Sequence, residues 1–172
     1  MGLVFLLGGA RSGKSALAVR LAAESGLPVV FVATAAPGEG DSEMEARVAA
    51  HRAERPDGWT TVEEPLDLAG ALRGAREDAC VVVDCLTLWT ANALEAGLAD
   101  DEVAARASEA ARLAAARGPL TVVVSNEVGL GVVPATPLGR RFRDVLGRVN
   151  AVFAEAAARA SLVVAGRELE LR

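Results

Sequence analysis

The chain has 172 residues, 52% of them hydrophobic, enough for one packed domain with a sizeable core and too few for two ordinary ones. Its net charge of −5, spread over interspersed acids and arginines, excludes the basic face that binds nucleic acid through its phosphates. No apolar run approaches the length of a membrane span and no cleavage pattern precedes the glycine-rich stretch near the start, so a cytoplasmic protein without a membrane span is expected.

In chain order, Leu3 to Leu7 reads as a buried strand, followed by a glycine-rich loop and a helix over Ser15 to Glu24. Val29 to Ala33 reads as a second strand. A helix over Glu43 to Glu54 follows, with Asp41 or Ser42 as N-cap and Pro56 as its stop. Helical spacing returns at Asp67 to Arg76, then a strand at Cys80 to Val83, a helix at Asp101 to Arg117, a strand at Leu120 to Val124 and a long helix at Leu138 to Arg159. Leu162 to Ala165 reads as a last buried strand, and the closing "RELEL" as a short edge strand. Continuous β-branched runs suit strands covered on both faces, and their alternation with helices predicts a mostly parallel sheet with right-handed crossovers. In such sheets ligands bind beyond the carboxyl ends of the strands. The odd spacing of Cys80 and Cys85 predicts opposite faces of one strand, hence two buried thiols and no disulfide.

Gly8, Gly9, Ala10, Arg11, Ser12, Gly13, Lys14 and Ser15 satisfy G-x-x-x-x-G-K-[ST], between a strand and a helix as the motif requires. With it, the alternation predicts a P-loop NTPase-type, RecA-like three-layer α/β fold filling residues 1–172 as one domain. Glycines let backbone N–H groups wrap a phosphate, and the lysine reaches the outer phosphates. Lys14 is the only lysine; a compact ammonium suits a place where a planar guanidinium is too bulky. Ser15 offers its hydroxyl to Mg²⁺, and Asp84, ending "CVVVD", is the matching carboxylate. A nucleoside triphosphate, GTP or ATP, with Mg²⁺ is the expected ligand.

His51 is the only histidine. Met44 and Val48 share its apolar stripe, which fits a packing residue. Arg47 and Arg55 lie four residues to either side, which fits a neutral imidazole held below its free pKa on a surface suited to polyphosphate, a nucleophile toward phosphorus. Spacing alone leaves both open. Glu63 or Glu64 is placed either to accept from guanine or in an exposed turn. Asn126 and Glu127 follow a buried strand and either position an acceptor or begin a glycine-rich loop. Arg140, Arg141 and Arg143 form either a phosphate clamp or a solvated helix start.

Together, "GGARSGKS", "VAT" at 32–34, "EMEARVAAHRAERPDGWTTVEEP" at 43–65, "VVVDCLT" at 81–87, "SNEVGLGVVP" at 125–134 and "FRDVLGRVN" at 142–150 resemble the bifunctional adenosylcobinamide kinase/adenosylcobinamide-phosphate guanylyltransferase family over nearly the whole chain. The resemblance implies phosphorylation of adenosylcobinamide with ATP or GTP, then transfer of GMP from GTP to adenosylcobinamide phosphate through a guanylylated histidine, here His51. It implies catalytic roles for His51 and Lys14 and nucleotide contacts from the phosphate loop, from Ala33, Thr34 and Ala35, from Arg52, Ala53, Glu54 and Arg55, and from Glu63 and Asp84. It also implies a homotrimer. Some relatives carry a second histidine before the nucleophile, where this chain has Ala50. The N-K-x-D element of many GTPases is absent, so a guanine preference rests on the resemblance. A P-loop small-molecule kinase with a structural His51 is the other enzyme these residues allow.

Overall fold

The computed structural model describes residues 2–35 and 55–171; the helix expected over 43–54, and His51 within it, lie outside them. Seven strands are formed by β1 (Leu3–Gly8), β2 (Val29–Ala33), β3 (Thr60–Glu63), β4 (Cys80–Asp84), β5 (Thr121–Asn126), β6 (Arg159–Val164) and β7 (Arg167–Leu171). The described helices are α1 (Lys14–Glu24), α2 (Leu68–Gly74), α3 (Leu86–Glu95), α4 (Asp100–Ala116) and α5 (Pro137–Ala156). The strands join in one sheet of order β3-β2-β4-β5-β1-β6-β7. All neighbours are parallel except β7, which turns back on β6.

Strand alternation sorts the core into two layers. Leu3, Phe5, Val30, Val32, Val81, Val83 and Val123 face one side, where Leu68, Leu86, Trp89, Val103, Ala107, Val149 and Phe153 of α2 to α5 cover them. Val4, Leu6, Val29, Phe31, Val82 and Val122 face the other, against Leu17, Ala18 and Ala22 of α1. The small alanines of α4 let that helix approach α5 and α2 closely.

Two elements depart from the expectation. α3 follows β4 directly, with Cys85 at its N-cap and no side-chain cap, so no punctuation separates it from the strand. β3 is a four-residue edge strand, Thr-Thr-Val-Glu, mostly exposed and too polar to stand out as an apolar run. The long helix also ends sooner than its pattern suggests: α5 stops at Ala156, and Arg159 opens β6. Because β4 ends at Asp84, strand alternation does not extend to Cys85. That residue packs against the same core layer as Cys80 rather than the opposite one. Both thiols are free, as expected.

Arg117, at the end of α4, fastens α2 to the rest. Its Nη1 donates to the carbonyls of Leu72 and Ala75 at 3.2 and 3.4 Å, and its Nη2 to those of Arg76 and Ala79 at 2.7 and 3.0 Å. These carbonyls lie at the end of α2 and in the turn into β4, where no helical partner serves most of them. Arg117→Ala should destabilise the fold by about 2–4 kcal/mol in urea unfolding, since bonds from a charged donor are lost and acceptors are orphaned.

Candidate active site

Register decides which residues meet at the carboxyl edge of the sheet. Ala33, last in β2, stands opposite Glu63 of β3 on one side and Asp84 of β4 on the other. Asp84 is level with Val124 of β5, and Gly8, last in β1, is level with Asn126. Glu63, Ala33, Asp84, Asn126 and Gly8 thus line one edge in spatial order.

The phosphate loop leaves that edge at Gly8. A Cβ there would overlap the Val163 carbonyl oxygen of β6 and come within 2.9 Å of Ser12 Oγ, so only glycine lets β1 end so close to its neighbour. Arg11 and Gly13 take left-handed backbone, with φ of 55° and 98°, which turns successive amides inward in the manner of an anion nest. The α1 N-terminus carries no capping side chain and no acid in its first turn. By contrast, Asp67 caps α2 through the Gly70 amide, and Thr136 caps α5 through that of Gly139. The first amides of α1 are therefore left to an external anion. From behind, the Ala165–Gly166 turn of the β6–β7 hairpin supports the loop, with the Gly166 amide donating to the Ser12 carbonyl at 2.8 Å.

Lys14 is only 6% exposed. Its Nζ donates to the Gly9 carbonyl at 2.7 Å and reaches Ser12 Oγ at 3.4 Å, so the ammonium lies folded over the loop that would cradle a phosphate. Burial lowers its pKa from the ordinary lysine value, and the nearby Cys85 and Asp84 oppose that shift. Ser15 follows on the first turn of α1. With Asp84 it offers hard oxygen donors of the kind that would suit Mg²⁺.

The segment after β2 is pinned from two sides. The buried Thr34 accepts from the Cys85 amide at 2.8 Å and donates to the Cys85 carbonyl at 2.7 Å, joining β2 to the start of α3. Asn92 of α3 donates to the carbonyls of Thr34 at 2.8 Å and Pro65 at 3.1 Å, and Trp89 Nε1 donates to that of Leu66 at 2.9 Å. Glu64 accepts from the amides of Leu66 and Asp67, so its carboxylate holds the turn into α2. Glu63, by contrast, is exposed at the sheet edge. Arg55 lies with its guanidinium 3.7 Å above the Phe31 ring and donates to Thr61 Oγ1 at 3.1 Å. It lies on β2 and β3 and within a bend rather than on a helix.

Beyond β5, the Glu127 amide donates to the Gly8 carbonyl at 3.0 Å, tying the next loop to the phosphate loop. That loop exposes Val128, Leu130, Val132 and Val133. The three arginines expected to open α5 serve the scaffold. Arg140 donates to the carbonyls of Pro134 and Ala135, Arg141 pairs with Asp100 at 2.7 Å, and Arg143 pairs with Asp144. The clamp reading gives way to these local contacts. Arg47, Ala50, His51, Arg52, Ala53 and Glu54 lie outside the described residues.

Thr34, Asn92, Thr87 and Asn150 all bond at this edge, yet the family resemblance implies a role only for Thr34. Asn150 did leave a signal: a carboxamide among Val145, Leu146, Val149 and Phe153 on the apolar stripe of α5.

A parallel α/β sheet with a phosphate loop after β1 and a carboxylate ending β4 defines a P-loop nucleotide-binding protein. Solved structures agree on the fold. The flagellar accessory protein FlaH of Methanocaldococcus jannaschii matches at TM-score 0.52 and 15% identity, covering 97% of this chain and 74% of its own. The RadB recombinase matches at 0.52 and 16%, covering 94% and 73%. More specifically, residues 4–171 match the model of the cobinamide kinase / cobinamide phosphate guanyltransferase family. The bifunctional adenosylcobalamin biosynthesis protein CobP of Pseudomonas aeruginosa is 49% identical over 171 residues, 97% of this chain and 95% of that protein. CobU of Escherichia coli, named for the same bifunctional role, is 37% identical over 99% of both. The chain belongs to this family and is an enzyme of its kind, a cobinamide kinase and cobinamide-phosphate guanylyltransferase.

Burial pushes both thiols up to about 11, Cys85 with added repulsion from Asp84. Neither is then a nucleophile at neutral pH. The folded protein should resist iodoacetamide there, both cysteines being alkylated only after denaturation, as mass spectrometry of the intact chain would show.

Proposed function

We propose that this enzyme makes adenosylcobinamide-GDP for the cobalamin nucleotide loop in two steps at one edge of the sheet. In the first, the hydroxyl of adenosylcobinamide attacks the γ-phosphorus of ATP or GTP; its O–P bond forms, the bond to the β-phosphate oxygen breaks, and the hydroxyl proton passes to solvent. In the second, an unprotonated nitrogen of His51 attacks the α-phosphorus of GTP, and pyrophosphate leaves with the bonding electrons. A phosphate oxygen of adenosylcobinamide phosphate then displaces the imidazole and takes GMP.

The observation that carries this reading is the meeting of Lys14, Asp84 and the uncapped α1 N-terminus at one sheet edge, with the His51-bearing segment leaving from that edge just after Thr34. Lys14 and the loop amides bind and orient the phosphates. Ser15 and Asp84 are the residues that hold Mg²⁺, which when bound neutralises phosphate charge. Arg55, stacked on Phe31 where the segment returns, is placed beside the nucleotide, as are Glu63 and the stretch Ala33 to Ala35. Arg52, Ala53 and Glu54 complete the nucleotide contacts on this reading. The exposed Val128, Leu130, Val132 and Val133, on a loop tied to Gly8, suit the bulky corrinoid acceptor. A homotrimer in the cytoplasm, built from one domain per chain, is the assembly we infer from the family resemblance.

Purified protein and its His51→Ala variant, incubated with Mg²⁺ and GTP labelled at the α- or the γ-phosphate, test the intermediate. Acid-labile, base-stable label should come from the α position alone and be lost in the variant. An unlabelled wild-type protein that still binds GTP would leave the plain kinase reading. Lys14→Arg should lower GTP turnover by about a hundredfold or more, the guanidinium being too bulky for the loop; turnover within a few-fold of wild type would contradict the reason given for the lone lysine.

A further inference from the structure

The stretch "FRDVLGRVN" ends in a residue that the nucleotide site does not use directly. Asn150 lies on the buried stripe of α5 and is 6% exposed. A carboxamide there costs free energy unless its polar atoms are bonded, and leucine at the same place would be cheaper. Both ends of the amide are engaged: Oδ1 accepts from Ser125 Oγ at 2.6 Å, and Nδ2 donates to the Asn126 carbonyl at 3.1 Å. From α3, Thr87 Oγ1 accepts from the Asn126 amide at 2.9 Å.

Sheet register explains why side chains take over at this point. β4 ends at Asp84, opposite Val124, so Ser125 and Asn126 run past it with only β1 beside them. The amide and carbonyl that Asn126 would have given to β4 go to Thr87 and Asn150 instead, and the Ser125 hydroxyl holds the other end of the Asn150 amide. The same peptide faces the phosphate loop, since Asn126 is level with Gly8 and the Glu127 amide donates to the Gly8 carbonyl at 3.0 Å.

We propose that Asn150 is a positioning residue for phosphoryl and guanylyl transfer: through Ser125 and the Asn126 carbonyl it fixes where Asn126 and Glu127 leave the sheet beside the phosphate loop. The inference rests on the reading of that loop as the reaction site. Asn150 touches no nucleotide itself. Its loss should affect the alignment of reacting groups more than nucleotide affinity.

The test compares wild type, Ser125→Ala and the double variant Ser125→Ala/Asn150→Leu for thermal unfolding, GTP binding by calorimetry, and kcat and KM in guanylyl transfer to adenosylcobinamide phosphate. The double variant replaces a buried polar pair by apolar groups of similar volume, which favours a retained fold. It should bind GTP within about twofold of wild type while kcat falls at least about tenfold. Ser125→Ala, which keeps the bond to the Asn126 carbonyl, should stay within about threefold of wild type in kcat. A double variant with wild-type kcat, or one whose kcat falls only in proportion to the fraction that binds GTP, would overturn the inference. Wild-type protein that binds no GTP would remove the phosphate-loop reading first and this inference with it.

Discussion

Parallel pairing in a fixed register is the constraint on which the rest depends. Strands that run the same way finish on the same side, and hydrogen bonding sets how far each reaches. Glu63, Ala33 and Asp84 are therefore level, and Gly8 is level with Asn126. A one-residue slip of β4 would move Asp84 away from this row and exchange the two faces of its valines, exposing Val81 and Val83 to the wrong layer. The core that fills both faces thus also secures the site.

Around that edge the protein leaves some polar groups open and closes others. The starts of α1 and α3 lack both a cap and an acid, while Asp67 and Thr136 cap α2 and α5, and α4 opens with Asp100, Asp101 and Glu102; of the two open starts, only that of α1 follows the glycine-rich loop. Two strand exits along this edge are closed by side chains. Thr34 and Asn92 secure the exit of β2, and Thr87 and Asn150 that of β5. The open amides thereby become the place where an anion gains most, and their surroundings are held still enough for in-line displacement. The buried Lys14 fits the same arrangement, since its ammonium lies over the loop rather than in water.

Much of this was legible from the residues. Buried apolar runs predicted β1, β2, β4 and β5 closely, because strands covered on both faces must be apolar throughout. The RELEL alternation predicted β7. α3 escaped despite its spacing: Leu86, Trp89, Thr90, Ala93 and Leu94 are buried at helical intervals, but Cys85 supplies no cap signal after the strand. β3 escaped because an exposed edge strand need not be apolar. The phosphate loop was legible because its chemistry demands particular residues at fixed spacing, and the place of Asp84 because it ends a buried apolar run. Asn92 was not, and Asn150 showed only as a polar residue on an apolar stripe, since what an amide bonds to depends on which helix packs over which strand end. The same limit applied to Arg141, whose partners Asp100 and Leu98 are brought close only by the fold, whereas Arg140 and Arg143 bond to near neighbours in the chain.

On the proposed function, this sheet edge grips a triphosphate through Lys14 and the first amides of α1. The most direct measurement is a crystal structure with Mg²⁺ and a non-hydrolysable GTP analogue. Lys14 Nζ should leave the Gly9 carbonyl for the outer phosphates, with the metal on Ser15 and beside Asp84. An analogue bound elsewhere, with Nζ still on the Gly9 carbonyl, would contradict it.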